Sequence, residues 1–409
     1  ATSSKELFDG VTIENGSYNP PQDSYGQGVA LYEWDATFTN CTFKNNGLFA
    51  CSSLFLVCGG AIGAQGGTLR IYDCTFDDNS VHSAGANVKS LGGAVGATGA
   101  TVIIEGSQFN RNYVQMAHSA QYGGGALGFS NCPSIDIVRT LFTTNYSRTG
   151  QGTLQYPTDG KITAPCGGTV YAANSVIRIC DSVLKGGWNN SSQTSDPRFG
   201  RGGTMYFSSG STAIVERVAF YGCGNSGFED SSSCAKNSFG SIDVHGAKTL
   251  LKLYNVLVAD TGFGHVLGNN GGTIDVRNCT FANSSARGIL PGCGFVQVSG
   301  FTTFRNSIVW GMAGGFEYES NGGEVDIAYC LNQDGADAEN QVICTDPMLY
   351  SAGSALEYRP AKGSPCIGAG DPTLWTRDDI DLAGNRRRIG GVDLGCYQSE
   401  RKGFRVIVR

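Results

Sequence analysis

The chain has 409 residues, a formal net charge of −6, 40% hydrophobic and 16% charged residues, and 60 glycines. The glycines follow no Gly-X-Y period, which excludes collagen, and a weakly acidic chain with no basic block is not expected to bind nucleic acid. The longest apolar stretch, residues 54–64, contains three glycines and is too short to cross a bilayer, so no transmembrane segment is expected.

In chain order, Phe8 to Asn15 reads as strand and turn with no amphipathic helix ahead of it, and Gly26 to Val29 as the first corner of a repeat. Two short patterns then alternate. Gly-Gly-Ala-apolar occurs at Gly59-Gly60-Ala61-Ile62, Gly92-Gly93-Ala94-Val95 and Gly124-Gly125-Ala126-Leu127. It recurs with a changed third residue at Gly167-Gly168, Gly202-Gly203, Gly271-Gly272 and Gly322-Gly323. The second pattern, Phe-x-x-Asn, places Phe43, Phe76, Phe109 and Phe142 at intervals of 33 residues. A fixed long period is the signature of a stacked repeat.

Between the patterns lie short alternating runs such as Thr68 to Tyr72 and Thr101 to Glu105, which read as strands, and no stretch keeps a helical period. Each repeat is expected to hold two or three such strands. Parallel strands need a long crossover, and a coil that winds once and returns beside itself supplies it. The expected fold is therefore all-β, a right-handed single-stranded parallel β-helix of about ten coils, roughly 50 Å long at the inter-strand spacing. Its phenylalanines should form an inward column and its asparagines a turn ladder. Residues 1–300 are read as the repeats and 301–409 as terminal coils with a C-terminal cap, continuous with them as one structural domain. Insertions near 146–165, 185–200 and 224–238 read as projecting loops.

Fifteen cysteines with no CxxC pair read as disulfides in an exported protein rather than as metal ligands. Local spacing suggests Cys51–Cys58, Cys223–Cys234, Cys279–Cys293, Cys330–Cys344 and Cys366–Cys396. Cys41 and Cys74 occupy equivalent positions in adjacent coils, where they either bond or stack. His82 and His118 stand alone and receive no role.

The alternating Gly-Gly-Ala and Phe-x-x-Asn patterns resemble the repeats of chlamydial polymorphic outer-membrane proteins. A second series, Asn306 to Gly311, Asp346-Pro347, Arg359 to Gly370, Asp381 to Arg386 and Val392 to Tyr397, resembles the choice-of-anchor Q domain of large secreted bacterial proteins. The resemblance implies a β-helix end and a secreted, extracellular or cell-surface location, and it implies no catalytic residue.

Aligning the coils on their glycine pairs puts Tyr171, Tyr206, Asp243, Asp275 and Asp326 in one column, with His245 and Arg277 two residues further on. On an outward face, Asp243, His245, Asp275 and Arg277 beside two tyrosines could hold an acidic sugar and abstract a proton. A carboxylate pair could instead hydrolyse a glycosidic bond. Trp188 with Arg198 and Arg201 is a candidate glycan grip. Asp371, Asp378, Asp379 and Asp381 are a candidate calcium site, and no other cofactor is expected. Two functions fit these features. One is a non-enzymatic structural or adhesive surface protein, binding a polysaccharide or cell-surface glycan or associating end to end with its own copies. The alternative is a secreted polysaccharide lyase or glycoside hydrolase.

Overall fold

The computed structural model describes residues 5–18, 24–50, 56–83, 88–116, 121–149, 166–190, 202–225, 240–261, 265–284, 294–316, 322–376, 378–387 and 391–399. It is a parallel β-helix. Its strands form three sheets of 27, seven and four strands, and all the strand ladders run parallel. One coil passes through Leu56–Cys58, Ile62–Gln65, Thr68–Tyr72, Thr75–Asp77 and Ser80–Ser83. Each strand pairs with its counterpart one period on, as in Val57↔Ser90, Ile62↔Val95, Leu69↔Val102, Phe76↔Phe109 and Val81↔Val114. The coil thus holds five strands, more than the two or three expected. Single left-handed residues turn the chain without a loop: Asp73 at φ 52° and Asp78 at φ 54° each end one strand and start the next. Among the described residues no helix is long and apolar enough to cross a membrane.

Alternation along each strand fills the core. In Thr68–Tyr72 and Thr101–Glu105 the buried positions are Leu69, Ile71, Val102 and Ile104. The phenylalanine column is present, with successive ring centroids of Phe43, Phe76, Phe109 and Phe142 4.7, 4.6 and 5.2 Å apart. The asparagine ladder is present too. The side-chain amide of Asn46 donates to Asn79 at 2.9 Å, that of Asn79 to Asn112 at 3.0 Å and that of Asn112 to Asn145 at 3.0 Å. Asn79, Asn112 and Asn145 each also donate to the phenylalanine carbonyl of the coil before, so the buried amides satisfy one another.

The paired glycines divide two tasks. Gly59 takes φ 74°, while a Cβ on Gly60 would lie 2.3 Å from the Gly93 carbonyl oxygen in the next coil. The first therefore supplies the turn and the second the close approach of stacked backbones.

The cysteines correct the disulfide expectation. Cys330 and Cys344 are free thiols, as are Cys366 and Cys396. Cys51, Cys234 and Cys293 lie outside the described residues, and their expected partners Cys58, Cys223 and Cys279 are free. The physical reason is visible at the turns. Cys41, Cys74, Cys279 and Cys330 each follow a left-handed residue and donate to the carbonyl two residues back, at 3.2–3.4 Å. Ser107, Thr140, Ser182 and Ser307 make the same contact through hydroxyls. These groups also accept across the coils: Cys41 N donates to Cys74 Sγ, Cys74 N to Ser107 Oγ, and Ser307 N to Cys330 Sγ. Cysteine here is a small turn residue interchangeable with serine. Cys41 and Cys74 stack.

The C-terminal segment lies along the flank of the coils. The left-handed turn asparagines Asn255, Asn278 and Asn306, on three successive rungs, hold it. Arg387 donates to Asn255 Oδ1, Asn278 donates to the Asp393 carbonyl, and Asn306 exchanges two bonds with the Asp371 backbone. The fully buried Asp381 carboxylate accepts from the amides of Ala383, Asn385 and Gln398 and so closes its own turn.

Candidate functional site

The column expected to be catalytic divides in two. Tyr171, Tyr206 and Asp243 do share a column, but the next residue in it is Gly268. Asp275 pairs instead with Lys252 before it and Thr303 after it, and Thr303 with Asp326. The misalignment has a definite cause. Gly271-Gly272 is not a corner pair; it lies inside the long strand Leu267–Arg277, where the ladder shifts register. The corner of that coil precedes Leu267, which pairs with Ile242.

Nor does the first half face solvent. Tyr171 and Tyr206 are buried, 5.9 Å apart in a stack, within an apolar cluster that includes Tyr25, Cys58, Leu91 and Cys166. Asp243 is 1% exposed, and its carboxylate accepts from the corner amides of Gly202 at 2.6 Å and Gly240 at 3.2 Å. It satisfies backbone donors that burial would otherwise leave without water. His245 is half-buried, with its ring 6.4 Å from Tyr206.

Asp275 and Arg277 do come together, on one strand and with solvent access. Arg277 bridges Asp275 at 2.8 Å, Tyr254 donates its hydroxyl to Asp275 at 2.8 Å, and the Arg277 guanidinium lies 5.2 Å from the Tyr254 ring centre. Burial, and then the Asp275 carboxylate, hold the Tyr254 phenol well above its ordinary pKa. The cluster is a self-satisfied ion pair with a protonated tyrosine.

The calcium candidates do not converge: among the described residues no three His, Cys, Asp or Glu side chains are placed to hold a metal. Asp371 caps a short turn by accepting from Thr373, Asp379 accepts from Thr376, and Asp381 is buried as above.

A different feature stands out on the seven-stranded sheet. Its strands Tyr113–Met116 and Ser80–Ser83 turn Val114, Met116 and Val81 inward and leave Tyr113, Gln115 and His82 on the outer side. Along that outer side runs a row of rings on five consecutive coils. Phe49 stacks on His82 at 4.5 Å, His82 meets the edge of Tyr113 at 5.1 Å, Tyr113 stacks on Tyr146 at 4.9 Å, and Tyr146 stacks on Trp188 at 4.4 Å. Arg148 lies over Tyr113 and Tyr146 and donates to Gln115 on the preceding rung. His82 Nε2 and the Tyr113 hydroxyl are 2.9 Å apart, and burial, with Arg148 nearby, lowers the imidazole pKa to about 4.

The row ends at Trp188. Its register partner on the next rung is Gly224, which has no side chain to lay over the indole. One face of the ring is therefore covered by Tyr146, and the next rung brings no side chain of its own at this position. Arg198 and Arg201, expected beside it, lie outside the described residues, as does His118. His82, given no role from sequence, belongs to this row; the signals available were the 33-residue intervals from Phe49 to His82 and from Tyr113 to Tyr146. The sequence matches no protein-family model and no curated protein.

Proposed function

We propose that the chain is an exported β-helix protein, surface-bound or extracellular, that binds glycans along the outer side of its seven-stranded sheet. The row from Phe49 to Trp188 carries this reading. A pyranose has an apolar C–H face and a rim of hydroxyls. Trp188 offers a flat apolar surface opposite Gly224, while the tyrosine hydroxyls, Gln115 and Arg148 beside it offer donors and acceptors to the rim. Repetition of rungs at about 4.8 Å suits a ligand that is itself a repeating chain. The likeness of the C-terminal motifs to the choice-of-anchor Q domain supports export.

The alternative, a polysaccharide lyase or glycoside hydrolase, has the partly exposed Tyr254–Asp275–Arg277 cluster in its favour. Against it, a glycosidase needs two facing carboxyls, and the second expected one, Asp243, lies buried at another position of the coil.

The test is a panel of neutral, uronic-acid and sulfated polysaccharides, assayed both for binding and for released products. Saturable binding that Trp188→Ala weakens, without product, is the expected result. Product release abolished by Asp275→Asn overturns this reading in favour of the enzyme.

A further inference from the structure

Away from the ring row, the C-terminal segment forms a cleft of about 360 Å³ whose lining includes Tyr350, Leu356, Arg359, Pro360, Lys362 and Ile367. Its walls are mostly apolar, and Tyr350 and Leu356 are 40% and 44% exposed, so they present rings and methyl groups to whatever enters.

Two cations lie in these walls. Arg359 packs over the Tyr397 ring, 4.7 Å from its centre, and Lys362 is exposed; neither forms an ion pair among the described residues. Most other arginines of the coils are spent on carboxylates, as Arg111 is on Asp77 and Asp78, Arg178 on Asp136 and Arg217 on Asp181.

We propose that this cleft is a binding site for a small organic anion, a carboxylate carried on an apolar or aromatic body. Arg359 and Lys362 would hold the carboxylate, the first through a planar fork already fixed by its contact with Tyr397. Tyr350, Leu356, Pro360 and Ile367 would enclose the body. A cleft of this size takes one compact ligand rather than a polymer. The site is separate from the ring row and does not depend on the glycan reading.

Calorimetric titration with 3-phenylpropionate, its neutral amide and inorganic phosphate tests it. The carboxylate should bind with a Kd on the order of 1 mM or tighter, and the amide and phosphate at least about tenfold more weakly. Lys362→Glu, at an exposed position, should weaken binding of the carboxylate by about tenfold or more with an unchanged melting temperature. Arg359→Gln should do the same, with Arg359→Lys restoring part of the affinity. Equal binding of acid and amide, equal binding of phosphate, or binding unaffected by either charge change overturns the proposal. So does the absence of carboxylate binding at roughly 10 mM.

Discussion

Tyr146 and Trp188 lie face to face, their ring planes 2° apart and their centroids 4.4 Å apart. A whole coil and a segment outside the described residues separate them in sequence, so only the parallel register Tyr146↔Trp188 brings them together. The beginning of the row has the same origin: Phe49 and His82 are register partners, as are Tyr113 and Tyr146. The scaffold thus turns a sequence period into a line of rings, and the line stops where Gly224 succeeds Trp188.

That end of the row should govern glycan affinity. Trp188→Ala should weaken polysaccharide binding by about tenfold or more, equivalent to about 1.4 kcal/mol, while Trp188→Phe should retain most of it. Titration calorimetry on folded variants checks this. Gly224→Leu should also weaken binding, by laying a side chain over the open face.

The asparagine ladder should be costly to interrupt. Asn112→Ala removes the acceptor for both the backbone and side-chain amides of Asn79 and leaves the Phe76 carbonyl without its side-chain donor. Each buried group left unsatisfied costs about 1–3 kcal/mol, so denaturant unfolding should show a loss in that range or above. Asn112→Asp should fare no better, since it keeps the acceptor and loses the amide donor.

Much of this scaffold was legible in the sequence because its determinants recur at a fixed interval. The spacing of Phe43 to Phe142 and of Asn46 to Asn145 is enough to announce an inward column and a turn ladder. The catalytic column was not legible, because Gly271-Gly272 looks like the corner pairs at Gly59-Gly60 and Gly92-Gly93 yet lies within a strand. Glycine marks a place where backbone needs room, and a register shift needs room as much as a corner does. The cysteines misled for a related reason. Their number suggested oxidation, whereas Cys74 and Ser107 perform the same task in adjacent coils. Asp243 shows what sequence does not supply: its column reads as outward, yet the carboxylate is buried against the corner amides of Gly202 and Gly240.

Thiol chemistry should reflect this division of roles. Of the described cysteines only Cys344 is exposed. Burial pushes the thiols of Cys74 and Cys330 up to about 12 and that of Cys132 up to about 11, which removes the reactive thiolate. Brief alkylation of the native protein, followed by peptide mapping, should therefore modify Cys344 well before the buried eleven. Cys74→Ser should be tolerated, because serine already fills the neighbouring rung at Ser107.

The ring row should also carry a pH dependence. The His82 pKa is about 4 in the folded protein, against a usual value near 6.5, with burial the larger cause and Arg148 the second. Because the folded-state value is the lower one, the unfolded chain takes up the proton first. The contribution of neutral His82 is fully present above about pH 6.5 and is lost as pH falls toward 4. Melting temperatures of wild type and His82→Gln should differ in their fall over that window, the variant falling less.

Glycan binding along the ring row is tested most directly by a crystal structure of the protein with a bound oligosaccharide taken from the best-binding polysaccharide. The expected result is a sugar ring flat against the open face of Trp188, with its hydroxyls toward Arg148 and the tyrosine edges. A sugar seated instead with its glycosidic bond over Asp275 and Arg277, or one bound at a site whose occupancy is indifferent to Trp188→Ala, would contradict it.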